Sequence, residues 1–95
     1  MSESPAPVPN PQVLFTELDD GTGVLLNLDT KFYYSLNRTG VFVWKAIHAD
    51  ASQTSRAIAQ RLTETFRVAL EDAERDVAAV VEEMLADGLL LPARP

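Results

Sequence analysis

Three short apolar segments precede three longer segments with helical periodicity, and this order constrains the fold more than any other feature. Val13–Leu18, Val24–Leu28 and Phe32–Leu36 are each too short for a stable helix and predict the strands of an antiparallel meander. Asp19–Gly23, which contains two glycines that tolerate positive φ, and Asp29–Lys31 predict the two turns. Grouped strands followed by grouped helices predict an α+β fold rather than an alternating α/β fold.

Helix signals fill the second half of the chain. Asn37 and Thr54 can each cap the first turn of a helix, because their side-chain oxygens accept bonds from free backbone amides. Gly88 suits the residue that follows a helix, where a left-handed conformation is common. The spacing of apolar residues between these signals predicts three helices, over residues 38–48, 55–66 and 71–87.

The two ends of the chain differ from its middle in composition. Four of the first twelve residues are proline, which removes backbone donors and favours extended backbone. We therefore predict a disordered or extended tail over residues 1–12, a single folded domain over residues 13–91 and a short C-terminal tail over residues 92–95. At 95 residues, with 46% hydrophobic residues, the chain has material for one domain with a real core.

Composition excludes several classes of function. The chain has no cysteine, which excludes a disulfide framework, a thiolate metal site and a cysteine nucleophile. Its net charge of -6 disfavours binding to nucleic acid or to an anionic lipid surface. The N-terminus lacks signal-peptide features and no apolar stretch approaches the roughly 20 residues that span a bilayer. We expect a soluble, cytoplasmic protein with no nucleic acid and no membrane among its partners.

No set of residues in the sequence forms a recognisable catalytic or metal site. His48 is the only histidine, and a lone histidine near a helix end is far more often a packing residue than a base or a ligand. Asp72 with Asp76, and Glu83 with Asp87, form pairs four residues apart that could hold a hard cation, but a solvated acidic face is the commoner reading. The prediction is a non-enzymatic protein without metal or cofactor.

Residues 34–44 carry a resemblance to a known family. Their sequence, YSLNRTGVFVW, resembles the L-N-x-T-G-x-x-x-W stretch of PqqD-like proteins. The order of the later segments is also similar, with a Thr54-capped helix, an aromatic Phe66 and a third helix that ends in a Met84–Leu90 segment. The resemblance covers roughly residues 13–91. Within the motif, the matching residues are Leu36, Asn37, Thr39, Gly40 and Trp44.

The resemblance implies a winged helix-turn-helix-like domain of three strands and three helices. It also implies a chaperone that binds the leader of a ribosomally synthesised precursor peptide by strand addition, between the third strand and the third helix. Such domains present the precursor to a modifying enzyme, which can be a radical S-adenosylmethionine enzyme or a lasso-type maturation protease. Pyrroloquinoline quinone and lasso peptides are both products of such pathways. The sequence does not identify the pathway or the precursor, and it leaves the oligomeric state open between a monomer and a weak dimer.

The residues support strand addition independently of the resemblance. The edge of a three-stranded sheet offers unpaired amides and carbonyls, and an added peptide strand can pair with them. Alternation along the third strand places Tyr34 and Leu36 on one face, together with Phe32. The third helix has an apolar stripe that is wider than one core seam, although its flanking residues could equally be core. The predicted peptide-binding residues are Phe32, Tyr33, Tyr34 and Ser35 on the strand and Ala78, Val81 and Leu85 on the helix.

Two alternative functions share the same predicted fold. A winged-helix DNA-binding regulator would insert a helix among phosphates, but the third helix carries seven acidic residues against the single basic Arg75. These carboxylates could instead attract a basic leader. A structural or dimerisation subunit would use the same sheet edge to pair with a second copy of itself. Peptide binding is the function that we predict.

Overall fold

A computed structural model of the protein, which describes residues 7–50 and 54–92, confirms the α+β order of three meander strands followed by three helices. The strands are β1 (Val8–Pro9), β2 (Val13–Glu17), β3 (Gly23–Asn27), β4 (Tyr33–Leu36) and β5 (Leu90–Leu91). The helices are α1 (Arg38–Ala49), α2 (Ser55–Phe66) and α3 (Leu70–Ala86). The predicted tails at residues 1–6 and 93–95 lie outside the described residues.

Strands β2, β3 and β4 form the predicted antiparallel meander in that order. In its register Val13 lies opposite Asn27, and Leu26 lies opposite Tyr33. The central Leu25 is fully buried, whereas β4 alternates between exposed and half-buried side chains. The alternation shows that the helices cover one face of the sheet and leave the other face of β4 in solvent.

The core lies between that sheet face and the three helices. Trp44 of α1 is 3% exposed and its ring centroid lies 6.5 Å from that of Phe15, so this residue of the family motif belongs to the core. None of the described helices is long and apolar enough to cross a membrane. The largest fully buried side chains are Leu25, Val43, Ile47, Ile58, Leu62, Val77, Met84, Leu89 and Leu90.

The helix ends follow the predicted capping residues. The Asn37 side chain accepts a hydrogen bond from the Gly40 amide at 2.8 Å, and the Thr54 hydroxyl accepts one from the Ala57 amide at 3.1 Å. Gly88 follows α3 with a φ of 74°, a conformation that glycine adopts without steric cost. These contacts satisfy amides that have no partner within the helix.

The structure differs from the sequence prediction at the proline-rich N-terminus, where residues 7–12 belong to the fold. Strand β1 pairs antiparallel with β5, and the Asn10 amide donates to the Leu89 carbonyl at 3.1 Å. The Asn10 side chain donates to the Gly88 carbonyl at 2.8 Å and accepts from the Gln12 amide at 2.9 Å. Pro9 fits because a proline in a two-residue edge strand removes no central ladder bond.

We expect Asn10→Ala to lower the free energy of unfolding by about 1–2 kcal/mol, because it removes two side-chain hydrogen bonds of a partly buried group. Gln12→Ala is the control, since the exposed Gln12 side chain should contribute less than about 0.5 kcal/mol. Urea denaturation of both variants measures the difference. Equal stabilities would show that the two Asn10 side-chain hydrogen bonds add nothing to the stability of the domain.

Candidate functional site

The outer edge of β4 is open in the part of the chain that the structure describes, since β4 pairs with β3 alone. The Asn27 amide donates to the Phe32 carbonyl at 3.0 Å, and this bond sets the alternation of the ladder. In an antiparallel pair every second residue directs its backbone groups at the partner strand. The backbone of Tyr34 therefore faces β3, while the N–H and C=O groups of Tyr33 and Ser35 point outward.

A cleft of about 350 Å³ lies between β4, the start of α1 and one flank of α3. We call it the β4–α3 cleft. It combines backbone from a strand with side chains from a helix, as a site for an added strand requires. Its lining residues are Tyr33, Tyr34, Ser35, Leu36, Asn37, Gly40, Val80, Glu83, Met84, Asp87 and Leu89.

The α3 side of the cleft comes from a single stripe of the helix. Val80, Glu83 and Asp87 repeat at spacings of three and four residues, which places them on one flank. Asp76 extends this stripe by one turn and lines a shallower cleft beside Asn37. The stripe therefore consists of one half-buried valine and three exposed carboxylates.

Three of the four predicted strand residues lie together in one cleft. Tyr33, Tyr34 and Ser35 all line the β4–α3 cleft. Phe32 precedes β4 and is 63% exposed, and it is absent from the cleft lining. The exposed Phe32 ring adjoins the end of the open edge.

The predicted helix residues lie on the other flank of α3. Ala78, Val81 and Leu85 are absent from the lining of the cleft. Val81 is 8% exposed and belongs to the core, Leu85 packs half-buried against that core, and Ala78 is exposed. A helix turns by about 100° per residue, so Ala78 and Leu85 lie on the flank opposite Val80. Val80 and Met84 are the apolar residues that α3 contributes to the cleft.

The cleft is acidic. Glu83 and Asp87 line it, Asp76 adjoins it, and among the residues that the structure describes no lysine or arginine lines either it or the shallower cleft. Arg75, the basic residue of α3, forms an ion pair with Asp72, with 3.4 Å between a guanidinium nitrogen of Arg75 and Asp72 Oδ1. Within residues 7–50 and 54–92 no three histidine, cysteine or acidic side chains are grouped so that they could hold a metal ion.

A second cleft, of about 500 Å³, lies between α1, α2 and the turn that joins β2 to β3. Phe42 and Phe66 form its aromatic part, with ring centroids 5.8 Å apart. At the nearby turn the Thr22 hydroxyl, followed by the Thr22 amide, donates to Asp20 and lowers the pKa of that carboxyl below its usual value. The basic residues that line the second cleft are Arg38, Lys45 and Arg61.

Comparison with known proteins gives one family and two similar structures. The family model described as "Coenzyme PQQ synthesis protein D (PqqD)" matches residues 22–90. A structure of lasso peptide synthetase B1 complexed with the leader peptide is 31% identical, with a TM-score of 0.76, and the match covers 88% of this chain and 95% of that chain. A structure of TbiB1 in complex with the TbiA(beta) leader peptide is 20% identical, with a TM-score of 0.78 over 93% of this chain and 99% of that chain. No curated protein sequence matches significantly.

The three matches agree on the fold and on the region that carries it. The family match spans β3, β4, all three helices and the first residue of β5. The two structural matches extend over most of the chain. None of them points to a DNA-binding protein, the first alternative that the fold raised.

Proposed function

This chain belongs to the PqqD family, and on that premise we propose that it binds the leader of a ribosomally synthesised precursor peptide and presents it to a modifying enzyme, without bond chemistry of its own. The observation that carries the proposal is the open β4 edge, whose outward backbone groups at Tyr33 and Ser35 adjoin the β4–α3 cleft. The 31% identical lasso peptide synthetase B1, whose structure contains a leader peptide, supports it.

Binding occurs by strand addition in this proposal. The leader pairs with the N–H and C=O groups of Tyr33 and Ser35 and so becomes the fourth strand of the β2–β3–β4 sheet. Alternate leader side chains then face the helices, because successive residues of a strand point to opposite sides. Those side chains enter the β4–α3 cleft, where Val80 and Met84 supply apolar contacts.

The competing occupant of this edge is the protein's own N-terminal strand, and the structure places that strand elsewhere. Strand β1 pairs with β5 and packs on α1, so it forms a separate two-stranded sheet. No strand within residues 7–50 and 54–92 occupies the slot beside β4, which supports its use by a guest peptide. Self-pairing of two copies through β4 would compete with the leader, and a molecular mass that rises with protein concentration and falls when leader is added would reveal it.

We further propose a lasso-type maturation protease as the enzyme that receives the leader, ahead of a radical S-adenosylmethionine enzyme of the quinone pathway. The support is the 31% identity with lasso peptide synthetase B1. The second cleft carries Arg38 and Lys45 beside aromatic rings, and because no residue of β4 lines it, we propose it as the surface that the enzyme contacts. Genes beside this one decide the point: a maturation protease and a short precursor support it, and a quinone-pathway set contradicts it.

The direct test uses synthetic leaders of the short reading frames encoded beside the gene. Fluorescence anisotropy should give a Kd in the range of about 1 μM to 1 nM for the cognate leader. Hydrogen–deuterium exchange should then show new protection of the Tyr33 and Ser35 amides. Protection confined to β2, which is the other edge of the sheet, or the absence of binding by every such leader, would contradict the proposal.

A further inference from the structure

We infer that the β4–α3 cleft selects leader segments that carry lysine or arginine at positions facing α3, next to an apolar residue. The inference rests on the proposed strand addition and adds the chemical class of the peptide. Three carboxylates, those of Asp76, Glu83 and Asp87, stand along the α3 side of the site, and no basic side chain of residues 7–50 or 54–92 lines it. A guest strand with acidic residues at these positions would meet like charges, whereas a basic one would meet its complement.

The length of the acidic stripe matches a short stretch of strand. Asp76 and Asp87 are eleven residues apart, which on a helix corresponds to about 16 Å. A strand advances about 3.3 Å per residue, so about five leader residues lie along the stripe. Two or three of these side chains face α3, because the others point to the opposite side of the sheet.

Burial divides the cleft into an apolar floor and a charged rim. Met84 is 2% exposed and Val80 is half-buried, whereas Glu83 and Asp87 are exposed. The apolar leader residue therefore lies over Val80, and the basic residues two positions to either side reach the carboxylates. Lysine and arginine suit such a surface, since their aliphatic stems pack on apolar atoms while the charged ends stay in solvent.

The same helix provides a matched control for this charge pattern. Glu82 adjoins Glu83 in sequence, is exposed, and is absent from the lining of either cleft. Glu82→Lys and Glu83→Lys change the net charge of the protein equally, and both positions are on the solvent side of α3. A difference between the two variants therefore reports the position of the charge and not its amount.

The experiment selects peptides from a phage-displayed random dodecapeptide library with the wild-type protein and with both variants. The wild type and Glu82→Lys should enrich peptides in which lysine or arginine recurs two residues from an apolar residue. Glu83→Lys should lose this enrichment, and synthetic copies of the wild-type peptides should bind it about five- to twentyfold more weakly. Each selected peptide is also tested on a variant with the β4 edge blocked by proline at Ser35.

The outcomes distinguish the selection of basic peptides from the strand addition on which it rests. Peptides that need the open edge but show no basic enrichment, or that bind both lysine variants equally, overturn the charge selection and leave strand addition standing. Peptides that bind the edge-blocked variant as well as the wild type overturn strand addition itself. Basic enrichment lost only in Glu83→Lys, among peptides that need the open edge, supports both.

Discussion

Replacing Ser35 with proline weakens binding of the cognate leader by about 10- to 100-fold and leaves the domain folded. The Ser35 N–H points away from β3, so proline at this position removes a donor for the guest strand but no bond of the existing ladder. The leader carbonyl that loses this donor is left unsatisfied at a cost of about 1–3 kcal/mol, which corresponds to the stated range. Fluorescence anisotropy measures the affinity, and thermal unfolding confirms that the fold is retained.

Glu17→Pro is the matched control on the opposite edge of the sheet. The Leu28 amide donates to the Gln12 carbonyl and the Leu18 amide to the Thr22 carbonyl, so even-numbered residues of β2 face β3 and Glu17 points outward. Proline there blocks an edge in the same way and should leave leader affinity unchanged within about twofold. A larger loss in Glu17→Pro than in Ser35→Pro would move the leader site to β2.

Replacing Val81 with glutamate unfolds the domain or lowers its free energy of unfolding by more than about 3 kcal/mol. Val81 is 8% exposed and packs within the core cluster, so the variant places a carboxylate among apolar side chains. Val81 is among the peptide-binding residues predicted from the sequence. The burial of Val81 makes the substitution a test of the core, and urea denaturation followed by circular dichroism measures the loss.

Ala78→Glu is the companion variant on the same flank of α3. Ala78 is exposed and lies outside the β4–α3 cleft, so the substitution should change the stability by less than about 0.5 kcal/mol and should not alter leader affinity. Weakened leader binding by a stably folded Ala78→Glu protein would show that the guest contacts this flank. The assignment of the site to Val80 and Glu83 would then be wrong.

The sequence predicted the elements because their ends depend on local chemistry. The Asn37 and Thr54 side chains accept hydrogen bonds from backbone amides, as expected of N-cap residues, and Gly88 has the positive φ expected after a helix. The three-strand meander and the exposure of one β4 edge followed from short apolar runs and tight turns. The orientation of successive β4 residues followed in turn, since alternation along a single strand is a local property.

The flank of α3 that faces β4 could not be predicted, because helical periodicity is symmetrical about the buried stripe. Val77 and Met84 mark the stripe, but Val80 on one side and Leu85 on the other are equally apolar. Only the packing of α3 against the rest of the molecule decides between them. The pairing of β1 with β5 escaped prediction for a related reason: a two-residue strand has no periodicity, and its partner lies about 80 residues away.

The shortness of β4 has a consequence for how long a guest stays bound. Two residues with outward backbone groups offer at most four hydrogen bonds, worth about 0.5–1.5 kcal/mol each, well below the roughly 8 kcal/mol of a micromolar complex. Side-chain contacts must therefore supply most of the affinity, so a single side-chain substitution in the leader can lower it. With a typical association rate of about 10⁶ M⁻¹s⁻¹, a micromolar leader departs within about a second. At the micromolar end of the expected range, delivery to a downstream enzyme then needs no opening motion, because dissociation is already fast. A nanomolar leader would instead stay bound for about a thousand seconds.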